Sequence, residues 1–269
     1  MLDSPHYPIK DSQAAADFLR QSLSDNENVS GHLDKALQEM LATRDPGRFL
    51  YVRYGVMTCI SAAYATRNRA AFGAAVDRLI AHPLPADTQW YRPGAAQLGT
   101  DLAVALSCAR YEQAHALGRQ ILQDTSTDDA LPEDLQARVL AMLFDADYER
   151  AAETLVSMEK SLGAAKLSRY ESATLLAWLR VAECVAARSD IAILHDLAKT
   201  SEVRAAYVDK MLARWKKGQS TDLTAIDFWD YQTSALVVIA ASFGLIKTPE
   251  TVELPFADWR WTERVAQWA

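Results

Sequence analysis

The chain reads as an all-α protein, and three observations carry that expectation. Apolar residues recur at three- and four-residue steps along most of the sequence, the spacing that lines one face of a helix. Ala, Leu, Arg, Glu and Gln are abundant, and these side chains give up little freedom on entering a helix. Only 10 Gly and 9 Pro occur in 269 residues, fewer turn formers than a β-rich fold of this length needs. We therefore expect a single helical domain over residues 1–269, with about 11–13 helices packed as antiparallel α–α hairpins in an irregular tetratricopeptide-like arrangement.

Asp11 or Ser12 can cap a first helix ending near Leu23, with Ala15, Phe18 and Leu19 on one face. The polar stretch that follows reads as a loop. A second helix spans His32 to Ala42 and is stopped by Asp45-Pro46-Gly47. A long helix from Arg48 to Thr66 is rich in aromatic and apolar residues around Tyr51, Tyr54, Met57 and Ile60. Another runs from Arg69 to Ala81, before Pro83 and Pro85. After Trp90–Pro93 comes a helix with Leu98, Leu102, Ala105 and Leu106 on its face, then Tyr111-Glu112-Gln113-Ala114 opening the next. Pro132 opens a helix ending near Phe144, and Tyr148-Glu149-Arg150-Ala151 opens one reaching Lys160.

The Tyr-Glu-x-Ala tetrad thus occurs at 111 and 148, each time after an apolar helix and a short turn. A Tyr filling the space between paired helices and an Ala permitting close approach is the logic of helical-hairpin repeats. The Trp-x-x-Leu-Gly opening of tetratricopeptide units is missing, so irregular hairpins are expected rather than an array. Ser168 to Ala187 is strongly apolar and is expected at the centre of the core. Asp190–Lys199, Glu202–Lys216 and Asp227–Phe243 complete the helices, the last favoured over a strand at Val237-Val238-Ile239 by its Ala-rich flanks. Gly244 suits a helix C-cap.

The charge balance of −7 lacks the basic stripe that nucleic-acid binding requires, and it fits a basic protein partner. Cys59, Cys108 and Cys184 lie far apart in apolar helical contexts, which predicts reduced core thiols rather than disulfides or a zinc site. The first residues show no basic segment followed by an apolar one. The longest mainly apolar uncharged stretch, Tyr231 to Ile246, is too short to span a bilayer. A cytoplasmic protein with no membrane or nucleic-acid partner is expected.

Chemistry-bearing motifs are sparse. Glu112-x-x-His115 has the spacing of a di-iron ligand pair but stands alone, whereas such sites need two pairs and further carboxylates. His195-Asp196 resembles the metal-binding doublet of the HD phosphohydrolases, but the required upstream His is absent: the nearest is His115. No catalytic residues, metal or cofactor are expected. Between Gln120 and Ala137 lie Asp124, Asp128, Asp129, Glu133 and Asp134 with no base, and Asp145, Asp147 and Glu149 follow. These acids either favour helix N-termini or form an acidic lip that draws in a basic partner. We take Asp124, Asp128, Asp129, Glu133, Asp134, Asp145 and Asp147 as the candidate protein-binding residues. Trp229, Trp259, Trp261 and Trp268 are expected to pack back on the last helices.

The segment from Asp227 through Leu245 has an acidic-aromatic lead-in (Asp227, Phe228), an Ala/Leu-rich helix (Ala235 to Ala241) and a Gly244-Leu245 end, followed by Pro255. It resembles the closing region of the Imm49 family of immunity proteins over about thirty residues, and its helix is also similar to that of the PoNi-type immunity proteins. The resemblance implies a non-catalytic cytoplasmic protein that binds and neutralises a cognate secreted bacterial toxin or effector. The alternative is a tetratricopeptide-like adaptor or regulatory module that binds a peptide or protein.

Overall fold

A computed structural model describes residues 9–26, 28–66, 68–81, 94–123 and 131–246. Among these residues the protein is all α: eleven α-helices, two short 3-10 turns and no strand. No helix among them is long and apolar enough to cross a membrane. The described residues form two compact units, one comprising residues 9–26, 28–66, 68–81 and 208–229, the other residues 94–123, 131–207 and 230–246.

In the first unit, α1 (Ser12–Asp25), α2 (Leu33–Thr43) and α4 (Arg69–Ala81) surround α3 (Gly47–Ala65). Asp11 caps α1 by accepting a hydrogen bond from Ala14 N at 2.9 Å. α3 is apolar on almost every side, and such a helix is stable only when enclosed. Tyr51 is 76% exposed and Tyr54 50%, while Phe49, Val52, Val56, Met57 and Ile60 are buried. With apolar residues on several stripes of this helix, periodicity alone does not choose its buried face. Trp229 belongs to this unit and is fully buried, its ring 5.5 Å from Tyr64 and 6.0 Å from Phe72. It packs inward, but against α3 and α4 rather than the last helices where it is expected; Trp259, Trp261 and Trp268 lie outside the described residues.

The second unit is built from hairpins. α5 (Ala95–Ser107) pairs with α6 (Tyr111–Gln123), and α7 (Pro132–Phe144) pairs with α8 (Tyr148–Ala164). α9 (Arg169–Ala186) follows, opened by a capping box in which Ser168 Oγ accepts from Glu171 N and Glu171 accepts from Ser168 N. Those bonds hold the Glu171 carboxyl below its usual range. α10 (Ile193–Trp215) gives its residues up to Tyr207 to this unit and the remainder to the first. The sequence suggests a break between Lys199 and Glu202. The helix is instead continuous because Thr200 and Ser201 are both buried and Thr200 Oγ1 donates to Leu197 O at 2.8 Å, which satisfies the hydroxyl inside the helix.

α7 packs against α5, α6, α8 and α9, and α11 (Tyr231–Ser242) lies against α5, α7 and α9. The centre of this unit lies at α7, on which α5, α6, α8, α9 and α11 all pack, rather than at α9 as expected. α9 buries a single face through Leu175, Trp178, Leu179, Ala182 and Val185 and leaves Leu176 outside, whereas α11 is enclosed on most sides. It starts later than expected because Asp227 closes a 3-10 turn with Thr224, and Asp230 then caps the helix.

Three turns of this unit share one geometry. Ala109, Ala146 and Arg188 are left-handed, with φ of 49°, 61° and 51°. After each, the next N–H reaches back to the carbonyl five residues earlier: Arg110 to Ala105 at 2.8 Å, Asp147 to Met142 at 2.9 Å and Ser189 to Cys184 at 2.9 Å. This is the Schellman closure, which satisfies the orphan carbonyls of a helix end. Gly244, at φ 71°, ends α11 in the same way, in the role expected of it.

Two helices approach closely at Gly99. A Cβ there would lie 2.4 Å from Ala137 Cβ and 3.0 Å from Ala137 Cα across the α5–α7 contact. Gly99→Ala is therefore expected to destabilise the protein by about 1–3 kcal/mol through overpacking, although Ala is the better helix former by about 1 kcal/mol. Urea unfolding checks this: a midpoint at or above wild type would mean the helices separate without cost.

Candidate functional site

Of the seven acids singled out in the sequence, Asp124, Asp128 and Asp129 lie outside the described residues. The other four do not form one lip. Glu133 and Asp134 sit in the first turn of α7 and Asp145 and Asp147 follow its last residue. At 1.5 Å rise per residue these ends are about 18 Å apart.

Two of the four already have structural work. Asp134 Oδ1 accepts from Ala96 N at 2.9 Å and so caps α5, whose own N-cap, Gly94, has no side chain to do it. Asp147 caps α8 through Arg150 N at 3.4 Å and pairs with the Arg150 guanidinium at 3.0 Å. Asp145 differs. It ends α7 with an exposed carboxylate, and its ion-pair partner among the described residues is His115, with Nδ1 at 3.9 Å.

Asp145 stands on the rim of a groove of about 380 Å³ in the second unit, formed by the start of α6, the α7–α8 turn and the end of α11. Its walls are aromatic. Tyr111 is 49% exposed and Phe243 37%, and the His115 ring lies 4.4 Å from the Phe144 ring. Behind Phe243 stands Tyr148, edge-on at 5.5 Å, with the Arg188 guanidinium 4.2 Å above the tyrosine ring. The shared turn geometry makes this arrangement: it places Tyr111 and Tyr148 at equivalent positions opening α6 and α8, while Ala114 and Ala151 are buried as the tetrad predicts. Tyr111, expected to fill the space between helices, instead faces the groove.

Sequence reasoning weighs the acids and overlooks these aromatics. Phe243 is visible only as the residue before the capping Gly244, and Phe144 as the last apolar residue of α7. A large aromatic at the very end of a helix, where the burying face runs out, is the signal that could have found them.

The remaining motifs resolve into local contacts. His195 Nδ1 lies 3.1 Å from Asp196 Oδ1, and Asp196 Oδ2 accepts a weak bond from Cys184 Sγ at 3.5 Å. Among the described residues, no group of three or more His, Cys, Asp or Glu side chains could hold a metal ion, and Glu112–His115 gains no further ligand.

A second groove, of about 440 Å³, lies in the first unit beside Arg20, Cys59, Asn68 and the alanines of α4. Its chemistry is muted. Arg20 is paired with Asp17 at 2.9 Å, and Cys59 Sγ donates to Asn26 O at 3.1 Å. Burial pushes the Cys59 thiol up to about 11; burial followed by the Asp196 carboxylate pushes Cys184 up to about 11. Cys59, Cys108 and Cys184 are thiols, not joined in disulfides. Because the thiolate is the reactive form, Cys59 and Cys184 should alkylate with iodoacetamide at pH 8 roughly a hundredfold more slowly than an unperturbed cysteine. Mass spectrometry of timed aliquots checks this, and labelling at the rate of a free thiol would contradict it.

No protein-family model, no curated protein and no solved structure matches this chain.

Proposed function

We propose that the chain is a non-catalytic binding protein that neutralises a cognate secreted bacterial toxin or effector in the cytoplasm, and that the groove on the second unit is part of its binding face. The observation that carries the binding reading is the aromatic wall of exposed Tyr111 and Phe243 and half-buried Phe144 beside Asp145. Rigid aromatics that protrude into a concave surface are the side chains that anchor protein partners. An acid on their rim, on a chain of net charge −7, favours a partner with a basic surface. The toxin class comes from the Asp227–Leu245 resemblance to immunity proteins. That segment contains α11, so the part of the chain that carries the resemblance also supplies Phe243.

The adaptor reading keeps one observation in its favour: the two Tyr-Glu-x-Ala helices open after matching turns, as repeats of one hairpin do. It predicts a peptide seated along a shared helical face. The face common to α5, α7 and α9 is the one that α11 covers, which favours the immunity reading.

The test is co-expression with the protein encoded by the adjacent upstream gene, scoring survival and co-purification. Rescue with a stable complex is the expected result. A neighbour that is harmless, or that kills despite this protein, would overturn the proposal.

A further inference from the structure

We infer that the second-unit groove is a socket for an arginine side chain presented by the partner protein. This rests on the partner-binding reading above and names the chemistry of the contact.

Three features of the groove suit a guanidinium. Asp145 supplies a carboxylate at the rim. Neither Asp134 nor Asp147 is equally available, since one caps α5 and the other is paired with Arg150. The neighbour of Asp145, His115, sits at 3.9 Å, beyond a good hydrogen bond, and its ring is turned against Phe144. A planar cation entering the groove therefore meets a carboxylate with acceptor capacity to spare. The second feature is the wall. Tyr111 and Phe243 offer exposed aromatic rings, over which a guanidinium stacks more readily than an ammonium because it is flat and weakly hydrated. The third is an internal precedent: Arg188 already stacks at 4.2 Å over Tyr148, which itself packs edge-on against Phe243. Tyr148, in contact with Phe243, already accepts a guanidinium from the chain itself, and the groove lined by Phe243 and Asp145 is open at a volume of about 380 Å³. That room admits a side chain and its immediate backbone rather than a helix.

The occupant is a partner's arginine rather than a lysine because the site pairs a planar stack with a carboxylate that can accept two parallel N–H bonds. It is a protein rather than a free metabolite because the groove opens on the surface where the α6, α7–α8 and α11 ends meet, so a loop carrying the arginine can approach without the protein opening.

The probe is N-acetyl-arginine N-methylamide, titrated into the full chain and followed by the aromatic carbon-proton NMR signals of His115 and Phe243. The citrulline analogue, of equal length but neutral, is the control. A saturable shift with the arginine probe and none with citrulline is expected. Asp145→Asn should weaken that binding about fivefold, the size of one partly exposed charge pair. Among the described residues its side chain makes no hydrogen bond that caps α7 or α8, so the variant should fold. Phe243→Leu, at an exposed position, should weaken it about threefold through loss of the ring face. Equal shifts with citrulline, or unchanged affinity in Asp145→Asn, would overturn the socket. So would a dimer of this chain that Asp145→Asn disperses in sedimentation, because the occupant would then be a second copy. If the arginine probe binds as expected while co-expression gives no rescue, the socket stands and the toxin reading fails. If rescue is undiminished by Asp145→Asn, the toxin reading stands and the socket fails.

Discussion

Asp230→Ala is expected to cost about 3–5 kcal/mol of stability, the range seen when one partner of a buried ion pair is removed. Asp230 and Arg204 are both buried, with Arg204 Nη2 3.4 Å from Asp230 Oδ1. The same carboxylate caps α11, accepting from Thr233 N at 3.0 Å and from Thr233 Oγ1 at 2.7 Å. One substitution thus removes the N-cap of α11 and leaves the Arg204 charge in a low-dielectric site without this carboxylate. Asp230→Asn separates the two effects, because it retains an acceptor for the cap while losing the charge, and it should fall between wild type and Ala. Equilibrium urea unfolding reads both. A midpoint for Asp230→Ala indistinguishable from wild type would mean that neither cap nor pair holds α11.

Trp178→Ala should be comparably severe, about 3–5 kcal/mol, because it removes one of the largest fully buried side chains. Trp178 joins α9 to α11: its ring packs in the core of the second unit and its Nε1 donates to Gln232 O at 3.2 Å. Trp178→Phe keeps an aromatic ring but loses that bond and part of the volume, and should cost roughly 1–2 kcal/mol. If Phe proved as damaging as Ala, the hydrogen bond would dominate and ring packing would not be what joins the two helices. Ser107 Oγ adds a parallel bond from α5 to Tyr231 O at 3.1 Å, so α11 is anchored at its N-terminal end from two sides.

Much of this architecture is legible in the sequence. Helix bounds such as Arg69–Ala81 and Pro132–Phe144 follow from periodicity together with Pro, and Gly244 ends α11 at the expected place. The misplaced elements share a physical cause. Where a helix is apolar all round, as in α3 and α11, periodicity loses its power to choose a face, so the exposure of Tyr51 and Tyr54 is not legible and α9 is expected at the centre that α7 occupies. Where a polar residue can bond inside its own helix, as Thr200 does, composition suggests a break that the structure does not make. The turns at Ala109, Ala146 and Arg188 carry no glycine, so their shared left-handed closure is hidden, although the two Tyr-Glu-x-Ala copies hint at it.

The site is less legible than the fold. Counting acids finds Asp145, but spacing along the chain does not reveal that α7 separates Glu133 and Asp134 from Asp145 and Asp147. Nor does it show that Asp134 and Asp147 are used as caps. The aromatics at the groove come from three helices distant in sequence, and only folding brings Tyr111, Phe144 and Phe243 to one place.

Hydrogen–deuterium exchange on the chain, alone and in complex with the co-purified product of the adjacent gene, asks directly whether this groove is where the partner binds. Slowed exchange is expected at the start of α6, the α7–α8 turn around Asp145 and the end of α11. A complex that leaves those three segments unprotected, and slows exchange only elsewhere on the chain, would contradict a partner seated in the groove.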